Sequence, residues 1–195
     1  MEETIEERFL RHMRITYKAR YAKHRRLLKV DTLQKIASIF ISSYITVAST
    51  IILSNAIVPQ NKIDSLNVIL VALSIIALVL SITLGQTDNK NLAEQFHLCA
   101  REIQRLYEKI ILLKDESSTF NFSDYQSEYN NILDKYPINH DEIDREHVIY
   151  EKWKENNKTI SLLIKFKIKY FFLTYCIYLF LMLAPIVISV VVIIK

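Results

Sequence analysis

The sequence has 195 residues, is 51% hydrophobic and carries a formal net charge of +4. It contains one glycine and three prolines, where average usage would give about 14 and 10, and this shortage of turn-forming residues excludes a fold built from many short strands. The two cysteines, Cys99 and Cys176, are expected on the reducing side of a membrane and inside lipid, so we expect no disulfide.

The first predicted element is an amphipathic helix at residues 2–35, with acidic side chains at its start and basic ones towards its end, which suits the helix dipole. Six basic residues follow Tyr17: Lys18, Arg20, Lys23, Arg25, Arg26 and Lys29. A basic cluster beside a membrane attracts anionic lipid headgroups. The same charges also act as a topology signal, and they need have no other role.

Three uncharged apolar runs come next, at residues 36–61, 65–87 and 170–194. Each reaches the length of about 20 residues that crosses a hydrocarbon core. As buried helices of a soluble bundle, they would need a larger surrounding core than the rest of this chain supplies. We therefore predict three transmembrane helices, with a turn at residues 59–64 between the first two. No cleavable signal peptide is expected, since the first run begins after residue 35.

The distribution of Lys and Arg predicts the orientation, because positively charged segments stay in the cytoplasm. Ten such residues precede the first run and thirteen lie between the second and third, whereas the turn holds only Lys62. The fold class is therefore all-α: an integral membrane protein with three transmembrane helices and a cytoplasmic helical and coiled-coil region. The predicted parts are a cytoplasmic basic helix (1–35), a transmembrane hairpin (36–87), a cytoplasmic helical region (88–169) and a C-terminal transmembrane helix (170–195).

Hydroxyl side chains form one face, about 80° wide, of the first span: Ser38, Ser42, Thr46 and Ser49. This face either packs closely against another helix or lines water in a pore made by several copies. A second polar line runs along the second span at seven-residue intervals: Asn67, Ser74, Ser81 and Asp88. No Asp, Glu, Lys, Arg or His lies within a span, which disfavours an ion-coupled transporter. In the third span, Pro185 is expected to kink the helix or loosen its hydrogen bonds.

The region after the second span has the clearest helical periodicity outside the membrane. Apolar residues recur at alternating spacings of four and three: Leu92, Phe96, Cys99, Ile103, Leu106, Ile110 and Leu113. Such a seam needs a partner helix. The partner is either the N-terminal helix of the same chain or the same segment of another subunit, and in the second case the seam is an oligomerisation surface.

A polar segment at residues 139–147 follows a short predicted helix (124–136) that Pro137 ends. In a helix, His140, Asp144 and His147 would lie on one side. The chain has no HExxH motif, cysteine pair, nucleophile elbow or phosphate loop, so we expect no enzymatic activity, metal or cofactor. The polar cluster of Asn139, His140 and Asp144 is expected to begin and cap the next helix, at residues 141–154.

The order and spacing of several short motifs resemble the SLATT family, the two-span effector domains that are associated with nucleotide-synthesising and nucleotide-sensing genes. These motifs are Lys18-Ala19-Arg20, the two-span hairpin, Cys99-Ala100-Arg101-Glu102-Ile103, Leu106-Tyr107, Asn139-His140 and Ile143-Asp144. The third span resembles the subfamily with an additional C-terminal span, so the likeness covers almost the whole chain.

The resemblance implies a bacterial inner-membrane effector of antiphage conflict systems, which oligomerises and breaches the membrane when a partner protein or its nucleotide product signals infection. The family assigns no catalytic residues. The alternative is a membrane anchor that conducts nothing and recruits a cytoplasmic partner. The expected partners are membrane lipid, further copies of the chain and a nucleotide-related protein, and no nucleic acid is expected because the basic charge flanks the membrane.

Overall fold

The computed structural model of the chain describes residues 3–54, 59–86, 88–115, 122–155 and 160–194. All regular elements in these ranges are helical, which confirms the all-α prediction. They are α1 (Ile5–Leu53), α2 (Gln60–Gln86), α3 (Asn89–Asp115), α4 (Phe122–Lys135), α5 (Glu142–Glu155), α6 (Ile160–Phe171), a π-helical turn (Phe172–Cys176) and α7 (Ile177–Ile194).

Helix α1 joins what the sequence predicted as two elements, the basic helix and the first span, into one helix of 49 residues. It begins with a capping box, in which the backbone N–H of Glu7 donates to Thr4 Oγ1 and the N–H of Thr4 donates to Glu7 Oε2. No glycine or proline occurs between its ends, so the sequence contains no residue that would break it.

The second span begins earlier than predicted. Helix α1 ends at Leu53 and α2 already begins at Gln60, so residues 60–64 are helical and the predicted turn at 59–64 is wrong. Pro59 lies directly before the first residue of α2, and its carbonyl accepts a 2.9 Å hydrogen bond from the N–H of Lys62. Proline is favourable at a helix start because the first N–H groups have no partner within the helix.

The chain divides into two compact units. The first unit contains Met1–Leu28 and Lys90–Tyr170, and the second contains Lys29–Asn89 and Phe171–Lys195. The core of the first unit forms where α1, α3 and α4 meet, around Met13, Ile103 and Tyr129. Helix α1 contributes residues to both units.

The second unit has the surface of a membrane protein. Among the described residues, three helices are long and apolar enough to cross a membrane: Ile5–Leu53, Gln60–Thr83 and Ile164–Ile194. Large apolar side chains on these helices are more than half exposed, including Val68, Ile75, Phe180 and Val187. Exposed apolar surface of this extent suits lipid rather than water, and the prediction of three spans is confirmed.

The third span contains a local irregularity that the sequence did not indicate. A π-helical turn at Phe172–Cys176 separates α6 from α7, and Thr174 within it is fully buried. Pro185, which was expected to kink the helix or loosen its hydrogen bonds, lies within α7, and the helix continues through it to Ile194. Tyr44 of α1 donates a hydrogen bond to Ser189 Oγ and lies 3.3 Å from the Pro185 carbonyl oxygen, which ties α1 to α7.

Candidate functional site

The apolar seam of α3 is covered within a single chain. Cys99, Ile103 and Ile110 are fully buried against Met13 of α1 and Tyr129 of α4. Phe96 packs in a second cluster with Leu27 of α1, and Leu92 lies against that cluster. Of the two alternatives, the structure therefore shows the intramolecular partner. An oligomer that used this seam would first have to open the first unit, so we correct its assignment as an oligomerisation surface.

A buried ion pair joins α1 to the start of α5. Arg26 donates from Nε to Asp144 Oδ1 at 2.8 Å and from Nη2 to Oδ2 at 2.9 Å, while Asp144 is only 1% exposed. Asp141 accepts from both Arg26 and Lys23, and Asp144 Oδ2 also accepts from the N–H of Asp141. We call Lys23, Arg26, Asp141 and Asp144 the clamp. The contact between Arg26 and Asp144 is bidentate, which is the strongest hydrogen-bonding geometry between a guanidinium and a carboxylate.

The clamp corrects the prediction that six basic residues of α1 form a headgroup-binding cluster. Lys23 and Arg26 are occupied by the clamp. Arg20 is buried, where it donates to the carbonyl of Ile138 at 3.2 Å and contacts Cys99 Sγ. Arg25 and Lys29 are exposed and Lys18 is half-buried. The physical reason is that Asp141 and Asp144 contact α1 at Lys23 and Arg26, although each carboxylate lies 118 residues after its basic partner in the sequence.

The predicted polar cluster is divided among different partners. Asp144 lies in the clamp, Asn139 is exposed, and His140 is half-buried. His147 lies 3.6 Å from Glu151 and packs near the ring of Phe166. The described residues contain no group of three side chains that could hold a metal ion. The predicted role at the helix start is seen in Asp144, which caps the N–H of Asp141.

The environment of His140 predicts a pH-dependent stability. Burial, together with the nearby positive charge of Arg20, lowers the pKa of His140. The unfolded chain therefore takes up this proton at a higher pH than the folded chain, and the free energy of unfolding should fall from pH 7 to about 5.5. Thermal unfolding at the two pH values measures the effect. It should be smaller in His140→Gln and unchanged in His12→Gln, because His12 is exposed. Equal pH dependence in all three proteins would contradict the prediction.

The predicted hydroxyl face of α1 is only partly covered within the chain. Ser42 and Thr46 are exposed, and Ser38 and Ser49 are half-buried, whereas the buried residues of this part of α1 are Ala37, Ile41 and Ile52 on another face. The hydroxyls bond to their own helix: Thr46 donates to the Ser42 carbonyl at 3.0 Å, and Ser49 donates to the Ile45 carbonyl at 2.7 Å. Contacts within the chain therefore leave Ser42 and Thr46 of this face uncovered.

The polar line of α2 is exposed as well. Asn67, Ser74 and Ser81 all face outwards, as does Asp88 beyond the end of the helix. At 100° per residue, a different exposed face of α2 carries large apolar side chains from residue 68 onwards: Val68, Ile75, Val79 and Ile82. The helix thus has one outer face suited to lipid and another that carries hydrogen-bonding groups.

Sequence reasoning missed the clamp and the tie between Tyr44 and Ser189. One signal for the clamp was present: Arg20, Lys23 and Arg26 recur at every third residue, and Asp141 and Asp144 share that spacing. Residues three apart lie on one side of a helix, so the two sets are complementary. The tyrosine contact had no comparable signal, because a single hydroxyl in an apolar helix has many possible partners.

The helices and their exposed surfaces define a polytopic helical membrane protein with an additional, tightly packed helical unit. The family model of the SMODS and SLOG-associating 2TM effector domain family 5 matches residues 2–191, and the chain belongs to this family. The SLATT resemblance is therefore confirmed. Membership implies a membrane effector in antiphage conflict systems, and the family name implies association with SMODS or SLOG partners. Comparison with curated proteins and with solved structures gives no match.

Proposed function

We propose that the protein is a membrane-permeabilising effector of a bacterial antiphage system, in which several copies assemble in the inner membrane and open a pore. The first unit lies in the cytoplasm, where a partner protein or its nucleotide product triggers opening. The protein acts without catalysis. The positive charge distribution supports this orientation, and the family supports the context.

The observation that carries the proposal is the exposed hydroxyl-bearing face of α1. Three helices are too few to enclose a channel, so a pore requires several copies. Ser42 and Thr46 are exposed within a helix long enough to cross the membrane. In an assembly, such a face is suited to water, whereas the apolar faces are suited to lipid.

Leucine substitution of the hydroxyl face tests the pore. Reconstituted in liposomes with a trapped dye, and activated by the cognate partner, the wild-type protein should release the dye. The double variant Ser42→Leu/Thr46→Leu should assemble normally and release little or none, because it removes the polar groups from the water-facing surface. Val47→Leu is the matched control, since Val47 is 59% exposed and lies about 100° from Thr46 around the helix. Unchanged leakage in the double variant would remove this face from the pore.

A second candidate function is a non-conducting anchor that recruits a partner through the first unit. One observation favours it: Thr46, Ser49 and Thr50 each donate to a carbonyl of their own helix. A hydroxyl that is satisfied in this way tolerates lipid. The same liposome experiment distinguishes the two functions, because an anchor binds its partner and releases no dye.

A further inference from the structure

Within the part of the chain that the structure describes, Arg20 is a buried cation without a counter-ion. Arg20 is 5% exposed, and it forms no ion pair within the described residues. The guanidinium donates to the carbonyl of Ile138 and contacts Cys99 Sγ, while its Nε has no hydrogen-bond partner among the described residues. Burial raises the pKa of the Cys99 thiol, so the sulfur is uncharged at neutral pH. A buried charge of this kind is unfavourable until an anion balances it.

The neighbouring carboxylates do not supply that balance. Asp141 and Asp144 already pair with Lys23 and Arg26 in the clamp. Together with Arg20, this part of the first unit therefore holds three cations and two carboxylates. One positive charge remains, in a region largely shielded from solvent, where electrostatic attraction is stronger than in water.

A pocket of mixed polar and apolar lining lies near Arg20, whose charge acts on the lining residue His140. The pocket has a volume of about 400 Å³ and is lined by His12, Ile15, Thr16, Asn139, His140, Glu142 and Arg145, whereas Arg20 lies behind this lining. This volume lies within the range of roughly 300–1,000 Å³ that is typical of small-molecule sites. Thr16 precedes Arg20 by one helical turn, and the carbonyl that Arg20 holds belongs to Ile138, directly before the lining residue Asn139.

The pocket lining contains hydrogen-bond donors that have no assigned role. His140 Nδ1 is buried and has no partner among the described residues. The Arg145 guanidinium is exposed at the pocket and offers several donors in a plane, a geometry that matches phosphoryl oxygens. Glu142 adds an acceptor for hydroxyl groups. The lining therefore offers donors for an anionic group and an acceptor for an uncharged polar part.

We propose that this pocket binds a small phosphomonoester with a hydroxyl-bearing organic part. The phosphoryl group accepts hydrogen bonds from Arg145 and His140, and its charge balances that of Arg20. The organic part fills the volume that remains and donates a hydroxyl to Glu142. The site lies entirely within the first unit, and it does not depend on whether the second unit forms a pore.

Titration calorimetry on the full-length protein in detergent tests the site, with ribose 5-phosphate as the probe. We expect saturable binding at constant ionic strength, and a loss of affinity of about tenfold or more in Arg145→Met, because a charge-assisted contact disappears. Arg25→Met is the matched control: Arg25 is also an exposed arginine, but it lies outside the pocket lining, and its affinity should equal that of the wild type. Absence of saturable binding, or equal losses in both variants, would overturn the proposal.

Two further measurements separate the proposal from its alternatives. Arg20→Met should also lose binding, and thermal unfolding without ligand shows whether that variant remains folded. If Arg20→Met does not fold, the test rests on Arg145→Met, because Arg145 is exposed and its replacement should leave the fold intact. Vesicles with anionic phospholipid provide the second measurement. If ribose 5-phosphate does not bind, while the vesicles bind the wild type more tightly than Arg145→Met, the pocket takes a lipid headgroup and the proposal of a soluble ligand is overturned.

Discussion

Replacing Asp144 with alanine should lower the free energy of unfolding of the first unit by about 3–5 kcal/mol, the usual cost of removing one partner from a buried ion pair. Asp144 is almost fully buried and accepts two hydrogen bonds from Arg26. The substitution leaves the Arg26 charge unmatched on that side and removes the cap on the N–H of Asp141. Urea unfolding in detergent, followed by circular dichroism, measures the loss.

Glu151→Ala provides the control for this substitution. Glu151 lies 3.8 Å from Arg25, and both side chains are about half exposed. Exposed ion pairs typically contribute less than about 1 kcal/mol, so this variant should remain close to the wild type. Similar losses in the two variants would mean that the clamp contributes no more than a surface ion pair.

Replacing Ile103 with alanine should have the second large effect, a loss of about 2–5 kcal/mol, because it leaves a cavity in the core of the first unit. Ile103 is fully buried beside Met13 and Tyr129. Since these contacts lie within one chain, the mass of the protein in detergent should not change. Urea unfolding and light scattering measure the two quantities.

Leu112→Ala is the matched control for Ile103→Ala, since Leu112 belongs to the same helix but is 64% exposed. Its effect should stay within about 0.5 kcal/mol. If Ile103→Ala instead lowered the mass of the assembly, or if its unfolding depended on protein concentration, the seam would join subunits and the intramolecular packing would not describe the protein in solution.

The spans and the seam could be predicted because their signals are local and repetitive. An uncharged apolar run such as 65–87 has the length of a helix that crosses the hydrocarbon core of a membrane. The spacing of Phe96, Cys99 and Ile103 fixes which side of α3 is buried, whatever covers it. The identity of the covering helix could not be derived, because the same seam accepts any partner with a complementary apolar face.

The role of the basic residues in α1 was harder to predict, because composition reports the number of charges and not their partners. In the sequence, Lys23 and Arg26 lie among other basic residues, as the members of a lipid-binding cluster do. Their carboxylate partners lie 118 residues away, on the far side of two predicted spans. Only the folded chain brings α5 to α1, and that contact converts an apparent surface charge into an internal pair.

The π-helical turn at Phe172–Cys176 determines which side of the last helix faces α1. A turn of this kind holds about one residue more than an α-helical turn, so every later residue is set back by about 100° around the axis relative to an uninterrupted α-helix. Tyr44 meets Ser189 and Pro185 only in this phase. Loss of a single residue between 172 and 176 would therefore do more than shorten the span: it would present a different set of side chains to Tyr44 along the whole of α7.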